Sequence, residues 1–142
     1  MIGFNHVMVG AIVGVVVKQP LLVAPIAFAS HFVCDATPHM GGIKAFSPWK
    51  PTFLALLAFD AVICTTILLL CIKHWPELWL GLVVGTAFAT LPDFLWIYFH
   101  KFGKPHWKFF RFHAWVQWGE RPYGWIFEGI YAGLFALVLT HL

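Results

Sequence analysis

Apolar residues fall into five long runs, which short polar segments separate. The runs cover residues 2–17, 21–36, 52–72, 78–98 and 124–142. A helix needs about 20 apolar residues to cross a bilayer, and the last three runs approach that length. The first two runs are shorter, so they would be tilted, or paired as a hairpin that the other helices shield from lipid.

The same pattern favours helices over strands. Lipid offers no hydrogen-bond partners, so the backbone of a spanning segment must satisfy itself. The short alternating segments of a membrane barrel are absent from the sequence. We therefore expect an all-α fold, an integral membrane bundle of about five membrane-embedded helices that forms a single domain over residues 1–142.

The connection between the fourth and fifth runs predicts one further helix. Residues 105–118 mix basic side chains with Phe, Trp and His. That mixture is typical of an amphipathic helix that lies in the membrane interface. The basic residues between Lys101 and Arg111 would attract the phosphate groups of lipid headgroups.

The composition agrees with a membrane protein. Hydrophobic residues make up 61% of the chain and charged residues 11%, whereas about a quarter of a soluble domain is charged. The net charge of +3 is too small to indicate a nucleic-acid partner. The first run lacks a basic leader and a cleavage site, so we expect it to belong to the mature fold. Cys34, Cys64 and Cys71 lack paired spacing and predict buried free thiols.

The basic residues predict an orientation in the membrane. One end of the bundle would hold the N-terminus, the 40–50 loop and the 101–121 segment. That end carries seven basic residues: Lys44, Lys50, Lys101, Lys104, Lys108, Arg111 and Arg121. The other end carries Lys18 and Lys73. Because cytoplasmic loops are enriched in Lys and Arg, we expect the N-terminus in the cytoplasm and the C-terminus outside.

Four carboxylates interrupt the apolar runs or end them, where an ionised group costs a few kcal/mol or more. They are Asp35, Asp60, Asp93 and Glu128. Pairing the runs as hairpins brings them to about the same depth as four histidines: His6, His31, His39 and His113. The opposite half of the membrane would contain almost nothing ionisable. This one-sided distribution predicts a shared polar site.

Metal binding is the chemistry that this set of residues suits best. His31 and Asp35 are four residues apart and share a helix face, and Pro38 would end that helix so that His39 turns back. Imidazole and carboxylate ligands suit zinc first, with manganese or iron as alternatives. Eight candidates exceed the needs of one tetrahedral ion and predict two bridged metals. The predicted metal residues are His6, His31, Asp35, His39, Asp60, Asp93, His113 and Glu128.

Two metals at such a site would clamp the oxygens of a phosphoester and lower the pKa of a bound water. Asp35 or Asp93 would then serve as the general base. Structural roles stay open for each residue: a hydrogen-bonded helix end, an interfacial polar group, a carboxylate that orients a ligand, or an interhelical hydrogen bond. The sequence contains no HExxH, GxSxG, Walker A or Rossmann motif.

Several stretches resemble a known family. They are "NHVMVGAIVG", "SHFVCDATPH", "LAFDAV", "GTAFATLPDF" and "FHAWVQ", between His6 and Gln117. In these stretches the chain is similar to the YdjM-like family of bacterial inner-membrane metal-dependent hydrolases, which are regarded as membrane relatives of zinc-dependent phospholipase C. The resemblance implies an all-helical protein of the bacterial inner membrane. It also implies a metal set of His6, His31, Asp35, His39, Asp93 and His113, with Asp60 close by.

The resulting hypothesis is a membrane-embedded hydrolase that uses two Zn²⁺, or Mn²⁺ or Fe²⁺, to cleave a phosphoester. Its substrate would be a membrane lipid or another amphiphile that arrives from the cytoplasmic leaflet. Two other classes stay open. A metal or proton transporter would need ionisable residues that continue to the other side of the membrane. A structural subunit of a membrane complex would use its aromatic surface for packing.

Overall fold

The computed structural model describes residues 1–43, 49–102 and 108–142, apart from the side chain of His100. Within these ranges the chain is all-α, as predicted. Its helices are α1 (Gly3–Val17), α2 (Pro20–Asp35), α3 (Pro51–His74), α4 (Trp79–Phe102), α5 (Lys108–Val116) and α6 (Trp125–His141). Single 3-10 turns cover Pro76–Leu78 and Gln117–Gly119. The two-residue strands β1 (His39–Met40) and β2 (Glu120–Arg121) pair in parallel, with His39 opposite Glu120.

The helix boundaries follow from ordinary local signals. Pro20 and Pro51 occupy the first positions of α2 and α3, where the missing N–H of proline costs no helical hydrogen bond. Helix α1 ends at Lys18, which adopts the left-handed conformation with φ 60° and donates its N–H to the carbonyl of Gly14. Each of the five predicted apolar runs is therefore a helix, and the predicted boundaries lie within a few residues of the observed ones.

The length and composition of two helices agree with the membrane prediction. In the part of the chain that the structure describes, two helical segments are long and apolar enough to cross a bilayer. They are Pro51–His74 and Pro76–Phe99, with mean hydropathies of 2.5 and 1.6. Helices α1, α2 and α6 have 15, 16 and 17 residues, fewer than the roughly 20 that a straight span needs. The figure of about five membrane-embedded helices is therefore not confirmed.

The helix predicted over 105–118 is confirmed as α5, a nine-residue helix. Residues 105–107, with His106 among them, lie outside the described residues. So do Lys44 and Lys104, two of the basic residues that predicted the orientation of the chain. The buried residues of α5 are Phe110, His113 and Val116. Their spacing of three places them along one side of the helix.

Close contact between α1 and α4 builds the centre of the bundle. Each helix carries a G-x-x-x-G motif, Gly10 with Gly14 on α1 and Gly81 with Gly85 on α4. A Cβ atom on Gly14 would lie 2.6 Å from the Gly81 carbonyl oxygen, and one on Gly85 would collide with the Gly10 carbonyl. Small residues allow apolar helix backbones to approach this closely. The contact fixes the position of α1, which carries His6.

Candidate metal centre

Five ionisable side chains meet at the end of the bundle where α1 begins, and we call them the His/Asp cluster. They are His6 on α1, His31 and Asp35 on α2, Asp93 on α4, and His113 on α5. Four of them, His31, Asp35, Asp93 and His113, each offer a ligand atom within 4.8 Å of the others. Among these five, only Asp93 is not fully buried, with 32% of its side chain exposed.

Asp35 forms the centre of the cluster. Its Oδ2 atom lies 3.1 Å from His31 Nε2 and 3.2 Å from His113 Nε2. Its Oδ1 atom lies 3.2 Å from His6 Nε2, although that pair lacks the geometry of a hydrogen bond. One carboxylate therefore faces three imidazole rings that arrive on three different helices.

Asp93 faces the same three rings from a greater distance. Its oxygens lie 3.8 Å from His31 Nε2, 3.7 Å from His113 Nε2 and 3.9 Å from His6 Nε2. These distances exceed those of hydrogen bonds. No direct hydrogen bond therefore joins Asp93 to any of the three rings, and the space between them is bordered by nitrogen and oxygen atoms.

A backbone contact sets the orientation of the His31 ring. Its Nδ1 atom lies 2.8 Å from the carbonyl oxygen of Ala89, and it must donate because a carbonyl only accepts. With its Nδ1 proton committed to Ala89, a neutral His31 ring presents a lone pair on Nε2 to the rest of the cluster.

That lone pair faces the Asp35 carboxylate, which accepts but does not donate. Nε2 of His31 lies 3.1 Å from Asp35 Oδ2 and 3.1 Å from His113 Nε2, which donates only in the tautomer that carries its proton there. A further proton or a metal ion on His31 Nε2 would make its contact with Asp35 attractive. A histidine that donates Nδ1–H to a backbone carbonyl is the arrangement commonly found when Nε2 binds a metal.

Several buried ring nitrogens near the cluster lack a hydrogen bond. Within the described residues this holds for both ring nitrogens of His6, for Nδ1 of His113 and for Nε2 of His39. A buried polar atom without a partner is costly, and most such atoms in proteins are paired. A transition-metal site would contain such unpaired nitrogen atoms beside two carboxylates.

Aromatic side chains enclose the cluster on one side. The rings of His6 and His31 are stacked with their centroids 4.1 Å apart, and Phe32 contacts His31 edge-on at 5.2 Å. Phe109 stacks on His113 at 6.3 Å. Apolar walls of this kind limit the access of water and lower the local dielectric constant. Asp93, with its exposed edge, marks the side from which a ligand can enter.

The amino group of Met1 also lies at the cluster, 2.6 Å from Asp35 Oδ1. Burial lowers the pKa of this amino group, but the nearby carboxylates of Asp35, Asp93 and Glu128 raise it by more. The net pKa therefore lies above the usual value. These carboxylates thus favour a positive charge at this end of the bundle.

His39 lies near this end of the bundle but is not one of the four residues that converge. Its Nδ1 atom donates to the carbonyl of Thr37 at 2.7 Å, and the residue is 1% exposed. The short parallel pairing of β1 with β2 fixes its backbone. Gly124 packs so closely that a Cβ atom there would collide with the His39 carbonyl. His39 keeps its Nε2 lone pair, and its predicted role as a ligand remains a prediction.

The structure gives Asp60 contacts other than those predicted. Both of its carboxylate oxygens accept backbone N–H groups at the start of α1, Oδ2 from Gly3 and Oδ1 from Phe4, each at 3.0 Å. The first turn of a helix leaves its N–H groups without intrahelical partners, so Asp60 caps α1 from the neighbouring helix α3. Its role as a metal ligand remains untested, and its observed contacts position His6.

Glu128 binds the same segment from α6. Its Oε1 atom accepts the N–H groups of Ile2 and Met40, each at 3.1 Å. Its Oε2 atom accepts from the Asn5 side chain at 2.6 Å. The residue is buried, and these three donors offset the cost of burying its carboxylate. Glu128 links α6, α1 and the His39–Met40 strand instead of joining the four-residue group.

The sequence analysis missed two contributors to this site. Asn5 is fully buried and donates to both the side chain and the backbone carbonyl of Glu128. A polar residue directly before His6 in an apolar run is the signal that could have revealed it. The Ala89 carbonyl is the second contributor. No residue type in the sequence indicates it, because every residue has a backbone carbonyl.

The fold and the cluster together define a class of protein: an all-helical chain with two helices able to cross a membrane and a buried His/Asp group able to hold a metal ion. Comparisons with known protein families, with curated proteins and with solved structures found no match to this chain.

Proposed function

We propose that this protein is membrane-embedded and binds a divalent metal in the His/Asp cluster. The observation that carries the proposal is the orientation of His31, whose Nδ1–H donates to Ala89 while Nε2 faces Asp35 and His113. Three imidazoles and two carboxylates suit zinc, manganese or iron. His31, Asp35, Asp93 and His113 would hold the metal, with His6 as the next donor.

We further propose that the reaction is hydrolysis of a phosphoester. A metal bound here supplies polarisation of a phosphoryl oxygen and a lowered pKa for water. Asp93 is the cluster residue with an exposed edge, so it is placed to accept a proton from an entering water molecule. Asp35 is fully buried among the rings, which suits it to hold and orient the histidines. The resemblance to YdjM-like hydrolases supports the same reaction class.

The proposed substrate is a lipid or another amphiphile with a phosphate group that approaches from the cytoplasmic leaflet of the bacterial inner membrane. The apolar segments Pro51–His74 and Pro76–Phe99 support a bilayer location. A transport function has less support. In the described part of the chain, Thr86 is the only buried polar side chain away from the end that holds the cluster. A conduction path would need more such groups.

Elemental analysis of the purified protein tests the metal proposal. We expect at least one zinc, manganese or iron per chain in the wild type, and loss of that metal in His31→Ala and in Asp35→Ala. His141→Ala is the matched control, because His141 is exposed at the end of α6 and should leave the metal content unchanged. A wild type that holds no stoichiometric metal, even after incubation with each of the three ions, would overturn the proposal.

Cleavage of a panel of phosphomonoesters and phosphodiesters in detergent, with the phosphorus-containing products identified by ³¹P NMR, tests the reaction. We expect turnover by the metal-loaded wild type. In Asp93→Asn we expect turnover to fall by about 10²- to 10⁴-fold, the range that general-base catalysis contributes. The metal content of each preparation is measured alongside. If the protein is metal-loaded but cleaves neither monoesters nor diesters, lipid or soluble, the hydrolase proposal fails while the metal proposal stands.

A further inference from the structure

One side of helix α5 faces the cluster, and the opposite side is exposed. Phe110, His113 and Val116 are buried. Lys108, Arg111, Phe112 and Trp115 are exposed, and Trp115 reaches 71% exposure. A helix with basic and aromatic residues on its outer side is suited to lie on a membrane surface.

The position of α5 decides the position of one cluster residue. His113 is the only cluster member on this helix, and its Nε2 atom lies 3.1 Å from His31 Nε2 and 3.2 Å from Asp35 Oδ2. Aromatic contacts pack α5 against α2: the Phe109 ring lies 6.4 and 6.1 Å, centroid to centroid, from the rings of Phe28 and Phe32. A small displacement of α5 would withdraw His113 from the other ligands.

The ends of the two candidate spans indicate where the membrane surface lies. Trp49 lies two residues before the start of α3, and Lys101 lies in the last turn of α4. The Lys101 ammonium is 5.3 Å from the centre of the Trp49 ring, so these two helix ends lie at the same level. Lys and Trp are typical of the membrane interface. Helix α5 follows α4 after a short connection and starts at Lys108, so it begins near this level.

The exposed charges near α5 indicate which membrane surface it would meet. Exposed basic residues on and around the helix are Lys101, Lys108, Arg111 and Arg121. Exposed aromatic residues follow α5 at Trp118, Tyr123 and Trp125. Between Lys108 and Trp125 the only acidic residue is Glu120, which is half-buried and packs against Gly41. This surface is complementary to anionic headgroups.

We propose that α5 couples the His/Asp cluster to an anionic membrane surface. Contact of Lys108, Arg111 and Trp115 with anionic lipid fixes the position of the helix, and this position keeps His113 among the metal ligands. The proposal rests on the proposed metal site and adds its regulation by lipid charge. Metal binding is then stronger in an anionic bilayer than in a zwitterionic one.

Zn²⁺ affinity in lipid nanodiscs tests this coupling. The full chain is reconstituted in phosphatidylcholine alone and in phosphatidylcholine with phosphatidylglycerol, and affinity is measured by competition with a fluorescent chelator. Coupling between two linked binding events typically changes affinity by about 5- to 150-fold, so we expect about tenfold tighter binding in the anionic discs. The double variant Lys108→Gln, Arg111→Gln should lose most of that gain.

The double variant Lys18→Gln, Lys73→Gln is the charge-matched control, because these exposed lysines lie at the ends of α1 and α3 away from the cluster. Anionic discs also concentrate Zn²⁺ near their surface, and this effect is common to both double variants. The control should therefore keep the full gain. Equal losses in the two double variants would overturn the coupling, as would equal wild-type affinity in both lipids. Absence of Zn²⁺ binding in every disc would instead defeat the metal site itself.

Discussion

At the scale of single residues, the site depends on which atoms already have partners. His31 commits Nδ1 to Ala89 and leaves Nε2 for the cluster. Both carboxylate oxygens of Asp60 accept hydrogen bonds from the first turn of α1. The carboxylate of Asp93 instead faces the three histidine rings. The residue type alone does not distinguish these two aspartates, since both interrupt apolar runs. Their hydrogen-bond partners do.

Asp60 allows a direct test of capping against metal ligation. Loss of a helix N-cap costs about 0.5–2 kcal/mol, so we expect Asp60→Ala to lower the free energy of unfolding by that amount. Asp60→Asn should keep most of the stability, because its amide oxygen still accepts a hydrogen bond. Thermal unfolding in detergent, followed by circular dichroism, measures both variants.

The metal content of the same Asp60 variants separates the two roles. If Asp60 acts as a cap, Asp60→Asn should retain the metal of the wild type. Thr65→Ala is a suitable control on α3, because the Thr65 hydroxyl is exposed and bonds only to the Ala61 carbonyl of its own helix. Loss of metal in Asp60→Asn, with unfolding unchanged, would identify Asp60 as a ligand.

At the scale of helices, two glycine pairs determine how α1 sits on α4. Gly10 lies against Gly85, and Gly14 lies against Gly81. The motif brings His6 on α1 to the depth of Asp93 on α4, where the two side chains are 3.9 Å apart. A third G-x-x-x-G motif, Gly129 with Gly133 on α6, has no atom within 4 Å of either Cβ position among the described residues. The two kinds of glycine should therefore respond differently to substitution.

Gly85→Ala tests the α1–α4 contact. The added methyl group would collide with the Gly10 carbonyl, and overpacking of a close contact costs about 1–3 kcal/mol. We expect a lower unfolding temperature in detergent and weaker metal binding, since the shift of α1 also moves His6. Gly133→Ala serves as the control and should be neutral or slightly stabilising, because alanine favours the helix. Equal stability of the two variants would contradict the proposed role of the glycine contact.

At the scale of the whole molecule, the cluster joins helices that are far apart in sequence. Its ligand atoms come from α1, α2, α4 and α5, and Glu128 and Asp60 connect α6 and α3 to the start of α1. A metal bound at the cluster would therefore cross-link most of the bundle. Its binding free energy would add to the stability of the folded state, because the unfolded chain does not assemble the site.

Metal removal tests this cross-link. At a free metal concentration of 100 times the dissociation constant, binding should add about 2.7 kcal/mol to the stability of the fold. We expect addition of a chelator to lower the unfolding temperature of the wild type, and re-addition of Zn²⁺ to restore it. The temperature of His31→Ala should not respond to either treatment. An unchanged wild-type unfolding temperature would mean that the cluster does not bind the metal in the folded state.

The sequence by itself determined the helical class, the five apolar helices and the short helix α5. These features follow from local rules: run length, proline at helix starts, and the mixture of basic and aromatic residues over 105–118. It also identified the residues of the cluster, since ionisable groups in apolar runs are costly and few in number. Two segments are long and apolar enough to cross a membrane, whereas α1, α2 and α6 are too short for length alone to decide.

Only the tertiary structure decided what each polar residue contacts. Counting along hairpins gives depth but no rotation about the helix axes. It therefore could not separate Asp93, which faces the three rings, from Asp60 and Glu128, which bind the first residues of α1. The close approach at Gly10 and Gly85 sets the rotation of α1, and the Ala89 carbonyl sets the His31 ring. Both depend on contacts between residues more than 50 positions apart in the chain, which no local pattern specifies.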